Sequence, residues 1–173
     1  NPAYHRNTTG PEVLSDFADR RLDYFVSGYG TGGTITGAGQ MIRLARPEVT
    51  IVSTEPAGAA LLDGQPGQPH KIQGWTPDFI PEVLDRAVAH RNVPVTDAEA
   101  IATSRALAVK EGIFCGISSG GTFAAALKVA ETAEPGSVIL AILPDTGERY
   151  LSTPLFEGIP DGHDEAQELL KDL

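Results

Sequence analysis

The feature that most constrains the fold is a glycine cluster between a short apolar run and a helical pattern. Residues 24–26 are apolar and typical of a buried strand, and four glycines then fall between 28 and 33. Residues 34–45 have helical periodicity before a proline, and 50–53 form the next apolar run. This order predicts a strand–helix–strand unit, in which the two strands lie parallel.

The same alternation continues along the chain. Capping-box spacing at Thr9 and at Thr96 predicts helices that run toward Asp19 and Lys110. Further strands are predicted within 87–95, at 113–115 and, fully buried, at 137–143; a helix is predicted up to Ala130 and another in the acidic tail from Asp161. We therefore expect one doubly wound α/β domain over 1–173, with a mainly parallel sheet and helices on both faces.

Composition excludes several classes of protein. The formal net charge of −10, without any basic run, argues against a nucleic-acid partner. The single cysteine, Cys115, rules out an intrachain disulfide, and the four histidines lack the spacing of a zinc site. No apolar stretch approaches membrane-spanning length. We expect a cytoplasmic protein with no metal and no membrane partner.

The glycine cluster is the first candidate site. Gly28, Gly30 and Gly33 spell G-x-G-x-x-G between a strand and a helix, and Glu55 lies at the end of the next strand. Such a turn lets backbone amides approach a phosphate, and the acidic residue completes the fingerprint of an NAD-binding Rossmann domain. A turn that needs its glycines only for tight packing is the alternative.

A second motif, G-x-S-x-G, is centred on Ser118 at another predicted strand-to-helix turn. It has the form of a hydrolase nucleophile elbow, and Asp145 and His163 follow in the hydrolase order. His163 lies in an acidic tail, however, and no second motif supplies an oxyanion hole. A serine that caps the start of a helix is the commoner interpretation.

The loop after the strand at 137–143 is the third candidate. In a parallel sheet the loops at the carboxyl ends of strands converge on the ligand. All three motifs follow predicted strands, so one ligand can contact them all. Glu148 and Arg149, within the third loop, are interpreted as a surface or stabilising ion pair.

Six segments, taken together, resemble cysteine synthases (O-acetylserine sulfhydrylases), which are fold-type II pyridoxal-phosphate enzymes. They are TTGPE at 8–12, GTGGTITG at 30–37, EP at 55–56, PHKIQG at 69–74, EGIFCGISSG at 111–120 and GERYLST at 147–153. Their order along the chain is the family's own order. The resemblance displaces the Rossmann and hydrolase interpretations.

The resemblance implies pyridoxal 5'-phosphate as cofactor and a role for each matching residue. The phosphate is held by Gly30, Thr31, Gly32, Gly33 and Thr34, where we expect a β-carbon at Gly32 to crowd it. The Ser118 hydroxyl binds the pyridine nitrogen, Gly74 lines the substrate side of the ring, and Pro144 lies near the pyridine edge. A neutral serine does not keep that nitrogen protonated, which suits β-replacement.

The resemblance also implies an activity and partners. The intact enzyme is expected to make L-cysteine and acetate from O-acetyl-L-serine and sulfide, as a homodimer that docks serine acetyltransferase. A cystathionine β-synthase or a sulfhydrylase for another activated serine is the near alternative. A non-catalytic binding partner of serine acetyltransferase is the alternative from another class.

Two departures from the family pattern stand out. The segment that carries the cofactor's lysine is missing, and none of the lysines 71, 110, 128 and 171 lies in such a segment. We therefore expect that an N-terminal half is absent, that this chain holds no catalytic residue, and that it is inactive alone. In addition, WTPDF at 75–79 replaces a glycine-rich run, so we expect Trp75 and Pro77 to stiffen the rim of the site.

Overall fold

A computed structural model describes residues 1–159 of the chain. Its helices are α1 (Pro2–Asn7), α2 (Thr9–Asp16), α3 (Gly33–Ala45), α4 (Asp97–Glu111) and α5 (Ile117–Ala130). Its strands are β1 (Tyr24–Gly28), β2 (Thr50–Thr54), β3 (Arg91–Asn92) and β4 (Ile139–Ala141). Short 3-10 turns lie at Ala57–Ala59, Leu61–Asp63 and Gly147–Tyr150.

The four strands form one parallel sheet in the order β3-β2-β1-β4. Strands β1 and β2 pair over five residues, from Tyr24 opposite Thr50 to Gly28 opposite Thr54. Helix α3 connects them, as the glycine cluster predicts. The prediction of a parallel, doubly wound α/β fold is confirmed.

Side chains alternate between the two faces of the sheet, as the period of a strand requires. Phe25 and Ile51 pack with α3 on one face, whereas Val26 and Val52 pack with α5 on the other. All four side chains are fully buried. Since each such burial contributes about 1.5–3 kcal/mol, the two cores hold helices on both faces of the sheet.

Helix α4 begins where its sequence signal places it. The Thr96 hydroxyl accepts a hydrogen bond from the Glu99 amide at 3.2 Å, and the Glu99 carboxylate accepts one from the Thr96 amide at 2.7 Å. The helix ends at Gly112, which has the left-handed φ of 68°. The capping box predicted at Thr96 is therefore present. The box expected at Thr9 is not, because α2 has no side-chain cap and is preceded by the unpredicted helix α1.

One strand prediction was wrong, and another was wrong in the length and burial of the strand. Residues 113–115 form no strand; only Cys115 makes an isolated bridge, to Thr146. The run at 137–143 forms only the three-residue strand β4, which is half-buried rather than fully buried. Within residues 1–159, β4 pairs with β1 alone, so its other edge has no strand partner. The helix expected from Asp161 lies outside the described residues.

Among the described residues, no helix has the length and apolarity needed to span a membrane. The same residues contain no group of three or more histidine, cysteine, aspartate or glutamate side chains that could hold a metal ion.

Candidate functional site

A cleft of about 320 Å³ opens where β1 and β4 end. Five of the residues predicted to bind the cofactor lie on its wall: Gly30, Thr34, Gly74, Ser118 and Pro144. Sequence reasoning assigned no cofactor contact to the other eight lining residues, which are Ser27, Gly28, Gln73, Trp75, Thr122, Ile142, Asp145 and Tyr150. Loops that are far apart in sequence thus form one site, as the carboxyl edge of a parallel sheet predicts.

Helix α3 begins beside this cleft without a side-chain cap. Its first residue follows Gly32, whose carbonyl accepts the Thr36 amide at 3.0 Å. The amides of the first turn, at 33–35, have no partner within the helix and lie at its positive end. The Thr34 hydroxyl lies 3.2 Å from His5 Nε2. This start of α3 is suited to binding a phosphate.

The middle of the glycine loop does not reach the cleft wall. Thr31 is exposed, and its hydroxyl accepts a hydrogen bond from the Asn1 amide at 2.9 Å. Gly32 has a left-handed φ of 85°, and a β-carbon there would lie 2.6 Å from Leu84 Cδ1. A β-carbon at Gly33 would overlap the Asn1 side chain. The crowding we expected at Gly32 therefore involves Leu84, and packing accounts for that glycine, whereas Gly33 meets only the exposed and flexible side chain of Asn1.

A second loop, at 72–76, is fixed directly onto the glycine loop. The Thr76 amide donates to the Tyr29 carbonyl at 2.8 Å. A β-carbon at Gly30 would overlap the Gly74 carbonyl oxygen, so glycine at position 30 permits this close approach. Gly74 itself has a left-handed φ of 82°. Gly30 and Gly74 thus face the cleft from two loops that support each other.

Trp75 follows in the second loop and fills the space between β1 and α5. Its indole is buried and packs against Gly28 and Gly121, where β-carbons would collide with the ring. The tryptophan expected to stiffen the rim therefore forms part of the cleft wall. The sequence did not predict that Trp75 lines the cleft, because no local pattern shows that Gly28 and Gly121 provide the space for its ring.

Ser118 lies in the first turn of α5, which also begins without a side-chain cap, at Gly116. The serine is 4% exposed, and its carbonyl accepts the Thr122 hydroxyl. No histidine within residues 1–159 lines the cleft, and His163 of the hydrolase hypothesis lies outside that range. The described part of the chain therefore contains no catalytic triad around Ser118.

Asp145 and Tyr150 form a hydrogen-bonded pair on the same wall. The Tyr150 hydroxyl donates to Asp145 Oδ2 at 2.6 Å, while Oδ1 is buried without a hydrogen-bond donor. Burial and then Asp145 raise the pKa of Tyr150 to about 12, so the phenol is protonated near neutral pH. The sequence suggested Asp145 as a hydrolase acid and as part of the third candidate loop, but not as a partner of Tyr150. The signal for Tyr150 was its place in the GERYLST segment.

Glu55 is fully buried, lies apart from the cleft and is held by a network of hydrogen bonds. Its carboxylate accepts hydrogen bonds from the Tyr29 hydroxyl at 2.6 Å, the Asn92 side chain at 2.5 Å and the Leu62 amide at 3.2 Å. Burial raises the pKa of Glu55 and of Tyr29. Since both oxygens are engaged inside the protein, Glu55 is not free to bind a ribose, and the dinucleotide hypothesis loses its acidic residue.

Comparison with known proteins decides the family. Residues 1–145 match the family of pyridoxal-phosphate dependent enzymes. This chain belongs to that family. Pyridoxal phosphate is the cofactor of the family, and cysteine synthases are among the relatives described below.

Two curated relatives and one solved structure show the similarity in detail. An O-ureido-L-serine synthase of Streptomyces lavendulae is 57% identical over 96% of this chain and 51% of its own length. A cysteine synthase of Staphylococcus aureus is 41% identical over 90% of this chain and 50% of its own. A crystal structure of a mutant O-ureido-L-serine synthase with O-ureido-L-serine bound has a TM-score of 0.93 and 55% identity, over 100% of this chain and 54% of that one. The chain thus spans about half the length of these pyridoxal-phosphate enzymes.

The residues of the cleft fit pyridoxal phosphate. The uncapped first turn of α3 offers amides to a phosphate, with the Thr34 hydroxyl beside it. Ser118 lines the same cleft and supplies a hydroxyl for a ring nitrogen. Gly74 and Trp75 supply apolar surface for a ring between these two ends.

Proposed function

We propose that the full-length protein is a pyridoxal-phosphate enzyme that replaces the acetate of O-acetyl-L-serine with another nucleophile. The observation that carries this proposal is the cleft itself, which is lined by the uncapped start of α3, by Gly74 and by Ser118. Bound pyridoxal phosphate supplies an electron sink for bonds broken at the substrate's α-carbon. The described residues bind that group and set its surroundings.

Each part of the cleft has a task in this proposal. The amides at the start of α3, with Thr34, hold the phosphate, and Thr31 to Gly33 shape the loop that presents them. The Ser118 hydroxyl binds the ring nitrogen from the start of α5. Gly74 leaves space for substrate on one side of the ring, and Pro144 lies at the pyridine edge. The buried indole of Trp75 excludes water from the back of the cleft.

The lysine that holds the cofactor covalently is, in this proposal, supplied by the half of the protein that this chain lacks. Lys71, Lys110 and Lys128 are the lysines within residues 1–159, and none of them lines the cleft. The chain alone is therefore expected to bind the cofactor without a covalent bond and to be inactive. A stoichiometric covalent adduct with Lys71 in the isolated chain, detected by mass spectrometry after borohydride reduction, would contradict this division of roles.

The second part of the proposal is the identity of the nucleophile that replaces acetate. Hydroxyurea attacking the β-carbon of O-acetyl-L-serine gives O-ureido-L-serine and acetate, whereas sulfide gives L-cysteine and acetate. The 57% identity with an O-ureido-L-serine synthase, against 41% with a cysteine synthase, supports hydroxyurea. The six segments shared with cysteine synthases support sulfide as the second candidate.

Competition between the two nucleophiles tests this proposal. The full-length protein is supplied with O-acetyl-L-serine and either hydroxyurea or sulfide, and kcat/KM for each product is measured by mass spectrometry. We expect both products, with O-ureido-L-serine formed at the higher kcat/KM. A protein that binds no pyridoxal phosphate and forms neither product would refute the proposed function. A higher kcat/KM for sulfide would make cysteine synthesis the activity.

Ser118→Ala separates the proposed role from that of a nucleophile. Loss of one neutral hydrogen bond costs about 0.5–1.5 kcal/mol, so we expect turnover to fall by about 2- to 13-fold. A triad serine would lose several orders of magnitude of ester hydrolysis instead. Labelling of Ser118 by a serine-hydrolase reagent in the full-length protein would overturn this assignment.

The proposal extends to assembly. We propose a homodimer that docks the C-terminal tail of serine acetyltransferase, as the family resemblance implies. Light scattering of the full-length protein tests the dimer, and titration with a peptide of that tail tests the docking. A monomeric protein would contradict the proposed dimer, and the absence of peptide binding would contradict the proposed docking.

A further inference from the structure

The side chain of Tyr29 anchors a loop that has few other side chains to hold it. Four of the six residues from 28 to 33 are glycines, and Thr31 is exposed. Because glycine adopts more backbone conformations than other residues, a loop of this composition has many shapes open to it. Tyr29 is 2% exposed, and its ring belongs to the core on the α3 face of the sheet. Within residues 28–33 it is the only buried side chain.

The Tyr29 hydroxyl meets a buried carboxylate just after β2. It donates a hydrogen bond to Glu55 Oε2 at 2.6 Å. Glu55 also accepts hydrogen bonds from the Leu62 amide at 3.2 Å and from the Asn92 side chain at 2.5 Å. Three donors suit an ionised carboxylate, which has no hydrogen to donate in return. Glu55 thus joins the glycine loop to the turn at 61–63 and to β3, neither of which lines the cleft.

The backbone of Tyr29, in contrast, lies beside the cleft. Its carbonyl accepts a hydrogen bond from the Thr76 amide at 2.8 Å. The next residue, Gly30, lines the cleft and lies against the Gly74 carbonyl. A movement of Tyr29 therefore shifts the glycine loop and the loop at 72–76 together.

We propose that Tyr29 and Glu55 are positioning residues, whose hydrogen bond holds the glycine loop and the loop at 72–76 in the shape that binds the cofactor. Neither side chain lines the cleft, so the pair acts through the backbone of Tyr29. This inference rests on the proposed function for the presence of the cofactor. The hold on the two loops can be measured without any cofactor.

Amide hydrogen exchange of the full-length apoprotein tests the hold on the loops. The Thr76 amide is followed by mass spectrometry in the wild type and in Tyr29→Phe, which keeps the ring and removes the hydroxyl. Loss of one hydrogen bond to a charged group corresponds to a factor of about 13–160 in a local opening equilibrium. We expect the Thr76 amide to exchange faster by a factor in this range.

Asn92→Ala is the matched control. It removes a hydrogen bond to the same carboxylate, but from β3 instead of from the glycine loop. We expect its Thr76 amide to exchange no faster than in the wild type. The amides within α4 report the stability of the domain as a whole, and we expect Tyr29→Phe to change their exchange much less than that of Thr76.

Binding of pyridoxal phosphate to the same apoproteins, followed by absorbance, tests what the held shape is for. The apparent affinity falls in proportion to the fraction of molecules whose loops have the competent shape. We expect Tyr29→Phe to bind the cofactor at least about threefold more weakly, which corresponds to an open fraction of about two thirds. Asn92→Ala should bind it as the wild type does.

Three results would overturn the inference: an unchanged Thr76 exchange rate in Tyr29→Phe, an equal acceleration in Asn92→Ala or throughout α4, or faster Thr76 exchange with unchanged cofactor affinity. Each of them leaves the proposed function intact, provided that the wild type binds the cofactor and turns over. If Tyr29→Phe does not fold, Glu55→Gln gives the same comparison, because it keeps the size of the side chain and replaces one acceptor by a donor. Failure of the wild type to bind the cofactor refutes the proposed function and this inference with it.

Discussion

Replacing Gly32 by alanine tests why the glycine loop has its shape. Gly32 combines a left-handed φ of 85° with a contact of 2.6 Å between a β-carbon and Leu84 Cδ1. Gly64 has nearly the same φ, 79°, but nothing lies within 4 Å of its β-carbon position. Alanine at Gly64 therefore reports the backbone conformation alone, and alanine at Gly32 reports the conformation together with the crowding.

The magnitudes follow from these two differences. A left-handed alanine costs about 1–2 kcal/mol, and the lower entropy of the unfolded chain offsets about 0.4–1 kcal/mol of that. We expect Gly64→Ala to lose about 1 kcal/mol of unfolding free energy. Overpacking adds about 1–3 kcal/mol, so Gly32→Ala should lose about 2–4 kcal/mol.

Urea denaturation of the full-length protein, followed by circular dichroism, measures both losses. The double variant Gly32→Ala, Leu84→Ala removes the contact with Cδ1 but keeps Leu84 Cβ at 2.8 Å, so it relieves part of the crowding. We expect its loss to be smaller than the sum of the single losses, by about 0.5 kcal/mol or more. Equal losses for Gly32→Ala and Gly64→Ala would refute the claim that Leu84 requires glycine at position 32.

Three further outcomes are expected. Gly121→Ala gains about 1 kcal/mol of helix propensity, but the new β-carbon crowds the Trp75 ring, so we expect a net loss of unfolding free energy. The loss should disappear when Trp75→Leu is also present. A loss that persists in the double variant would contradict the contact between position 121 and the Trp75 ring. Thr96→Ala removes the α4 cap and should lose about 0.5–2 kcal/mol in denaturant titration, whereas an unchanged midpoint would show that the cap is dispensable. A hydrogen bond from the Val138 amide lowers the pKa of Asp23 below its ordinary 3.8, and a weaker contribution from Arg21 lowers it further. This stabilising contribution is therefore present above pH 3.8 and is lost as the pH falls through the lowered pKa. We expect the unfolding free energy of Asp23→Asn to fall less steeply at acid pH than that of the wild type. Equal acid slopes for the two proteins would count against this contribution.

Much of the fold could be predicted because its signals are local. The helix start at Thr96 needs only the Thr–Glu spacing of one helical turn, and the parallel pairing of β1 with β2 follows from a glycine turn and one helix between them. The strand at 137–143 was predicted less well. The apolar run can be read from the local sequence, but the burial of the strand depends on which other elements pack against its edges.

The site divides in the same way. The segments that contribute to the cleft could be predicted, since Gly30, Thr34, Gly74 and Ser118 all fall in motifs with a known family pattern. The neighbours of these segments could not: Leu84 lies beside Gly32, Trp75 packs against Gly28, and Tyr150 donates to Asp145 on the wall that Ser118 also lines. Motifs encode backbone conformation over only a few residues. Steric contact, burial and the position of a proton depend on atoms that folding brings together from distant parts of the chain.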